Sequence, residues 1–327
     1  MYLTEETLDD LLMKLYPLLL NRETEIKVTK GDTHEIPGAL LKLKNPRARI
    51  SRTEGKGTIF SCLGELLWYL SGSNKLDFIQ HYIKIYNQFS DDGRTVYGAY
   101  GPRLFGVGSN AQVYNIIKKL KAKSTSRKAV LQLFSAEDIL DEHEDVPCTC
   151  TLQFLIRDKK LSLYTSMRSN DAYKGLPHDI FAFTMIQEIV ARELEVELGE
   201  YSHYVGSLHI YKDDIENIES FISEAWQDHI FMPEMPHGSQ AQEILNILKF
   251  ERIIRAGNEA NPEDFISSSY WQDLARLLII FSYSKDPSKH KKMQEAGNLI
   301  SCQSYRPYAQ KRINASLHKA HECVQAK

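Results

Sequence analysis

The chain has 327 residues, enough for about two domains or one large unit with an appendage. Lysine and arginine total 40 against 43 aspartates and glutamates, a formal net charge of −3, and 43% of residues are hydrophobic. Those values exclude a long disordered chain, a fibrous repeat and the strongly basic surface of a duplex-DNA binder. Residues 5–20 space Leu8, Leu11, Leu12 and Leu15 at helical intervals and predict an amphipathic first helix. The acidic start at Glu5-Glu6 lacks the basic flank of a secretory signal, so a cytoplasmic location is expected. Five cysteines, at 62, 148, 150, 302 and 323, form no C-x-x-C pair. They predict neither a disulfide framework nor a metal site.

Residues 33–44 alternate loosely and predict a strand. Residues 59–70 predict a buried helix closed by Ser71-Gly72-Ser73. Glu65 stands in its middle, either at the edge of the apolar stripe or as a buried carboxylate that needs partners. Between 91 and 106, Gly93, Gly98, Gly101, Pro102 and Gly106 predict a loop. Residues 111–123 form a basic amphipathic helix, and 129–134 a strand. A hairpin is expected from 150–156 and 161–165 about the turn Arg157-Asp158-Lys159-Lys160. A second buried helix over 181–194 and a strand over 201–211 follow. Beyond about 238 the pattern becomes helical, over 240–256 and 270–283, with a polar, basic tail from Lys289.

Two segments could carry chemistry. Cys148 follows Pro147 at the start of a strand, where a thiol is either an accessible nucleophile or a small core residue. Period-2 alternation puts Cys148 and Cys150 on one face and does not choose between them. Arg168-Ser169-Asn170-Asp171 ends an apolar strand with a cation, a hydroxyl, an amide and an acid. Gly175-Leu176-Pro177-His178-Asp179 then leads into a buried helix. Asp179 is either a helix N-cap or a functional acid.

These residues carry a resemblance. Pro147-Cys148, Arg168-Ser169-x-Asp171 with Gly175-x-Pro177, and Gly206-Ser207-Leu208-His209-Ile210-Tyr211 resemble the thymidylate synthase superfamily in order and separation. Glu65 in Gly64-Glu65-Leu66-Leu67-Trp68 and Tyr97 in Val96-Tyr97-Gly98 are similar to further motifs of that family. The likeness covers roughly 25–215. Within the superfamily, Asp179 in place of an Asn, Thr149 in place of a His and Met167 in place of a Gln resemble the deoxycytidylate (dCMP/CMP) hydroxymethylases. Tyr86 stands where the synthases carry an active-site Trp.

The resemblance implies an α+β fold, a large twisted mixed sheet with helices on one face. Its catalytic domain would cover 1–238, and a helical C-terminal extension 239–327. It implies a folate-dependent transferase that moves a one-carbon unit from 5,10-methylenetetrahydrofolate to C5 of a cytosine nucleotide through a covalent cysteine adduct. Cys148 would be the nucleophile. Glu65 and Tyr97 would move protons, and Asp179 would read the base. Arg168, Ser169, His209 and Tyr211 would bind the nucleotide. Arg127 and Lys128 would reach the phosphate of a second subunit, which makes a homodimer part of the expectation. Asp171 and Tyr86 would face the folate. No metal is implied. Two alternatives stand: a thymidylate synthase methylating dUMP, and a catalytically inactive nucleotide-binding protein, for which the thiol would be superfluous.

Overall fold

A computed structural model describes residues 1–21, 25–28, 31–53, 58–226 and 228–325. Lys327 and the side chain of Cys323 lie outside the described residues. The chain forms two compact units, Met1–Met232 and Pro233–Lys327.

The first unit is built on one mixed sheet of seven strands among the described residues. The N-terminal strand β1 (Tyr2–Glu5) precedes helix α1 (Leu8–Leu20), in the place where a helix is predicted from residue 5. Thr7 caps α1 by accepting from the Asp10 N–H at 3.0 Å. Strands β2 (Glu25–Val28) and β3 (Gly31–Leu43) form a hairpin. The buried helix α2 (Ile59–Leu70) is followed by α3 (Leu76–Tyr82), α4 (Tyr100–Phe105) and α5 (Gln112–Ala122). Helix α4 lies inside the segment whose glycines predict a loop. Its Pro102 occupies the first turn, where no backbone donor is lost.

Strand β4 (Val130–Gln132) leads to the hairpin of β5 (Thr149–Arg157) and β6 (Lys160–Asp171). Asp158 and Lys159 both have positive φ, the two-residue turn that suits strand twist. Strand β6 runs six residues past the predicted 161–165, so 166–171 belong to the sheet rather than to a loop. Helix α6 (Leu176–Glu193), strand β7 (Glu197–Tyr211) and helix α7 (Ile215–Ser223) complete the unit. Across the sheet the order is β1-β3-β7-β6-β5-β4, with β2 beside the start of β3.

One irregularity sets the site. Along β6 the buried residues are Leu161, Leu163, Thr165 and Met167, and then Asn170. Along β7 the large buried side chains are Tyr201, His203 and Val205, then Leu208 and Ile210. The alternation slips by one at the same level of two paired strands, Arg168-Ser169 beside Gly206-Ser207. A Cβ on Gly206 would lie 2.9 Å from the Arg168 carbonyl, so only glycine permits the approach. The slip turns Asn170 into the core instead of Ser169. Helices α1 and α6 cover one face, with α2 packed on α6; the strands also expose Leu40, Tyr164 and Tyr204.

The second unit is four helices: α8 (Ala241–Arg255), α9 (Ser269–Tyr283), α10 (His290–Leu299) and α11 (Arg306–Gln325). Helix α9 is its buried centre. The carboxylate of Asp273 accepts from the N–H groups of Ser301 and Cys302 and pairs with Arg276, which satisfies a charge that is 1% exposed. The polar tail from Lys289 is helical because α10 and α11 each bury one face, including Met293, Ala296, Ala309 and Ile313.

Candidate active site

Cys148 sits on the threshold of β5, half-buried, with its backbone carbonyl accepting the Arg168 N–H at 2.9 Å. The next residue, Thr149, is fully buried. Its N–H and hydroxyl both reach the Tyr100 hydroxyl, at 3.1 and 3.0 Å, which anchors the backbone beside the thiol to α4. The pairing of β5 with β6 shifts between Thr149 and Thr151. Simple alternation therefore does not carry from Cys148 to Cys150, and their shared face, predicted from the sequence, is interrupted by a bulge.

Arg168 is exposed and held from behind: its Nε donates to the Pro147 carbonyl at 3.0 Å and its Nη2 to that of Val146 at 3.1 Å. Among the described residues no carboxylate pairs with it. Its remaining N–H groups stay available for an anion. Ser169 is half-buried opposite Ser207.

Glu65 is 6% exposed, which decides between its two readings in favour of the buried carboxylate. Its Oε1 accepts from Tyr69 at 2.9 Å and from Tyr86 at 2.5 Å. Burial first, and then the charge of Glu65, push both phenols well above their ordinary range, so both remain donors. The ring of Tyr86 meets Trp68 edge-on at 5.3 Å.

Asp179 is not an N-cap. Helix α6 begins at Leu176 with Gly175 in the cap position, so Asp179 lies one turn inside. Burial, and then the neighbouring Glu65 charge, raise its pKa to about 8, only partly offset by His178 and by a hydrogen bond from Asn170 Nδ2 at 3.0 Å. It is therefore a neutral acid at neutral pH. Tyr100 lies within electrostatic reach of both Asp179 and Cys148, and Tyr211 within that of both Asp171 and Cys148. Asp171 accepts from the N–H groups of Tyr173 and Lys174 and lies beside His209 across the β6–β7 pair. Burial lifts its pKa above the usual carboxylate value. His209 and Tyr211 meet edge-on at 5.2 Å.

The fold thus brings Cys148, Arg168, Asp179, Glu65, Tyr86, Asp171, His209 and Tyr211 into one connected neighbourhood. Two groups stand apart in their contacts. Tyr97 stacks on His143 at 3.6 Å and lies beside Arg103 and Asp138. Arg127 and Lys128 are exposed on the loop between α5 and β4. Sequence reasoning noted the amide of Asn170 but gave no site role to it or to Tyr69, Tyr100, Tyr201 and His203. The last two left a signal, since polar residues at alternate positions in an otherwise apolar strand face are costly without partners. Among the described residues no cluster of His, Cys, Asp and Glu has the makings of a metal site, and no helix is long and apolar enough to cross a membrane.

Fold and site together define an α+β protein with a cysteine at a strand entrance, a backbone-braced arginine beside it and two acids nearby, the buried Glu65 and the half-buried Asp179. The chain belongs to the thymidylate synthase family, whose family model matches residues 21–256. It is 32% identical over 241 residues to the deoxyuridylate hydroxymethyltransferase of Bacillus phage SP01. That match takes in 69% of this chain and spans 63% of the relative's length. The thermostable thymidylate synthase A from Bacillus subtilis superposes with a TM-score of 0.60 at 24% identity. The superposition covers 68% of this chain and 86% of that one, a likeness of fold.

Proposed function

We propose that this protein is a folate-dependent one-carbon transferase that hydroxymethylates C5 of a cytosine nucleotide, dCMP or CMP. The observation that carries the reading is the carboxyl of Asp179, placed one turn inside α6, held by Asn170 at 3.0 Å and electrostatically linked through Tyr100 to Cys148, with its protonated form favoured. A carboxylic acid can donate to N3 of cytosine and accept from its N4 amino group, whereas the amide it replaces suits the O4 and N3–H of uracil.

In this reading Arg168 and Ser169 hold the nucleotide phosphate, joined by Arg127 and Lys128 from a second subunit, and His209 and Tyr211 hold the sugar. The Cys148 thiolate adds to C6, which makes C5 nucleophilic and divides a difficult substitution into easier steps. Asp179 donates its proton toward N3 as C6 is attacked. Glu65, fixed by Tyr69 and Tyr86, is the base that takes up and returns protons through water, and Tyr97 assists removal of the C5 proton.

The residues suit a folate as cosubstrate: Asp171 is a half-buried acid of raised pKa fit for an amino-pterin edge, and the half-buried ring of Tyr86 offers an aromatic contact. When bound, 5,10-methylenetetrahydrofolate supplies the one-carbon unit. A second reading, transfer to deoxyuridylate, is favoured by the substrate in the phage relative's name.

Incubating the protein with CMP, dCMP and dUMP plus methylenetetrahydrofolate tests both, since product mass separates hydroxymethyl from methyl and cytosine from uracil. Exclusive turnover of dUMP would overturn the cytosine reading. Cys148→Ser should bind nucleotide yet lose turnover and exchange of the C5 hydrogen, while Cys150→Ser keeps most activity.

A further inference from the structure

Behind Asp179 lies a buried polar chain that the proposed chemistry does not use. Asn170 Nδ2 donates to Asp179 Oδ2 at 3.0 Å, and lies 3.1 Å from His203 Nε2 and 3.0 Å from the Met167 sulfur. His203 Nδ1 lies 2.6 Å from the Tyr201 hydroxyl. Asn170 is 3% exposed and His203 fully buried.

Hydrogen counting settles the directions. Burial drives the His203 pKa down to about 3, so its ring is uncharged and has one donor and one acceptor nitrogen. With the two amide hydrogens going to Asp179 and to Nε2, stronger acceptors than the Met167 thioether, the ring proton sits on Nδ1 and is given to Tyr201. Turning the amide would instead strand its NH2 group where Oδ1 now lies, in a buried spot without a partner. Two orphaned donors cost more than one under-used carbonyl. The space there is narrow: a Cβ on Gly175 would lie 2.9 Å from Asn170 Oδ1.

We infer that Asn170, oriented by His203 and Tyr201, is a positioning residue that fixes which oxygen of the Asp179 carboxyl carries the acid proton. The inference rests on the reading that a pyrimidine lies against Asp179. A carboxylic acid with a mobile proton offers both donor–acceptor patterns and accepts cytosine and uracil alike. Donation from Asn170 keeps Oδ2 as the acceptor and leaves the proton on Oδ1, so the acid presents one pattern only. The chain turns an ambiguous group into a reader of one base.

The groups that face Asp179 are Glu65 and Tyr69 from α2, Tyr100 from α4, His178 from its own helix and Tyr201 from β7. A test must therefore change the chain and leave those in place. The carboxyl-13C signal of Asp179 can be titrated in the substrate-free full-length protein for wild type, Asn170→Ala, His203→Phe and His203→Gln. Asn170→Ala removes a donor that favours the ionised carboxyl, and His203→Phe frees the amide to turn its oxygen toward the acid. Both should raise the Asp179 midpoint by roughly one pH unit, and both should narrow the ratio of kcat/KM between dCMP and dUMP by roughly tenfold, the worth of one hydrogen bond to a charged group. His203→Gln, which keeps an acceptor, should restore both. An unchanged midpoint and ratio in Asn170→Ala, whose fold is checked by its melting curve, would overturn the inference. If wild type turns over neither nucleotide, the proposed function fails on its own, and the titration still judges the chain.

Discussion

Asp179 differs from the amide it replaces by one ionisable proton. Asp179→Asn should lower kcat/KM for the cytosine nucleotide and raise it for dUMP, a change in ratio of about 10²-fold, because each base leaves the other's partner groups unpaired. Equal kinetics for both bases in the mutant and wild type would end the cytosine argument. Stability offers a second test. The folded-state pKa is raised from 3.8 to about 8, so the favourable contribution of the acid is present below pH 4 and is lost as pH rises through about 8. Asparagine is neutral throughout. The unfolding free energy of Asp179→Asn, read from urea midpoints, should therefore exceed that of wild type by a margin that widens from pH 4 to pH 8, reaching on the order of 2–4 kcal/mol. Parallel pH profiles would show that Asp179 titrates normally. His203 has the opposite sign. Its pKa is lowered from 6.5 to about 3, so its contribution is present above pH 6.5 and is lost on acidification toward pH 3.

Among the elements, α2 has the tightest constraint. It is apolar on nearly every side because α6 and α3 both pack against it, and Gly64 lets the Tyr82 ring of α3 approach. A Cβ there would lie 2.1 Å from the ring, an overlap that neither helix can absorb without moving. Gly64→Ala should cost about 1–3 kcal/mol by overpacking, read from urea midpoints. Because Glu65 is the next residue, the same shift should loosen the hydrogen bond to Tyr86. Adding Tyr82→Leu should recover part of the loss, with a clear coupling energy between the two sites. Strict additivity would mean that the two side chains do not meet.

For the whole molecule, the open face of the sheet is the informative surface. Tyr2, Leu40, Tyr204 and Ser166 form one row across four strands, and Tyr2, Leu40 and Tyr204 are 54%, 37% and 45% exposed. Large apolar side chains aligned on a sheet face imply a covering partner. With Arg127 and Lys128 exposed and without a contact to Cys148 in their own chain, the proposed partner is a second copy with shared sites. Leu40→Glu with Tyr204→Glu should give a monomer by sedimentation and abolish turnover. Mixing inactive Arg127→Ala and Cys148→Ser subunits should restore part of the activity, because one hybrid site carries neither lesion. No rescue after verified subunit exchange would count against the trans contact.

Motif order determined the family, and Asp179 and Glu65 stood out as acids beside apolar runs, because charge in a hydrophobic setting is visible without a structure. Helical spacing likewise located α1, α2, α5, α8 and α9 to within a few residues, and α6 with its start five residues late, which left Asp179 outside it. Tertiary structure decided the rest. The slip at Arg168-Ser169 and Gly206-Ser207 breaks period-2 alternation, so no pattern in the sequence could show that Asn170 turns inward and Ser169 does not. Tyr201 and His203 show in the sequence as polar residues on an apolar strand face, but what they serve is decided only when β6 lies parallel to β7 and Asn170 comes between His203 and Asp179. The raised pKa of Asp179 is likewise a property of packing, since it needs burial and a carboxylate 114 positions earlier in the chain. Local periodicity can specify elements; only the pairing of distant strands and helices sets which polar groups share a buried space, and therefore which of them can do chemistry.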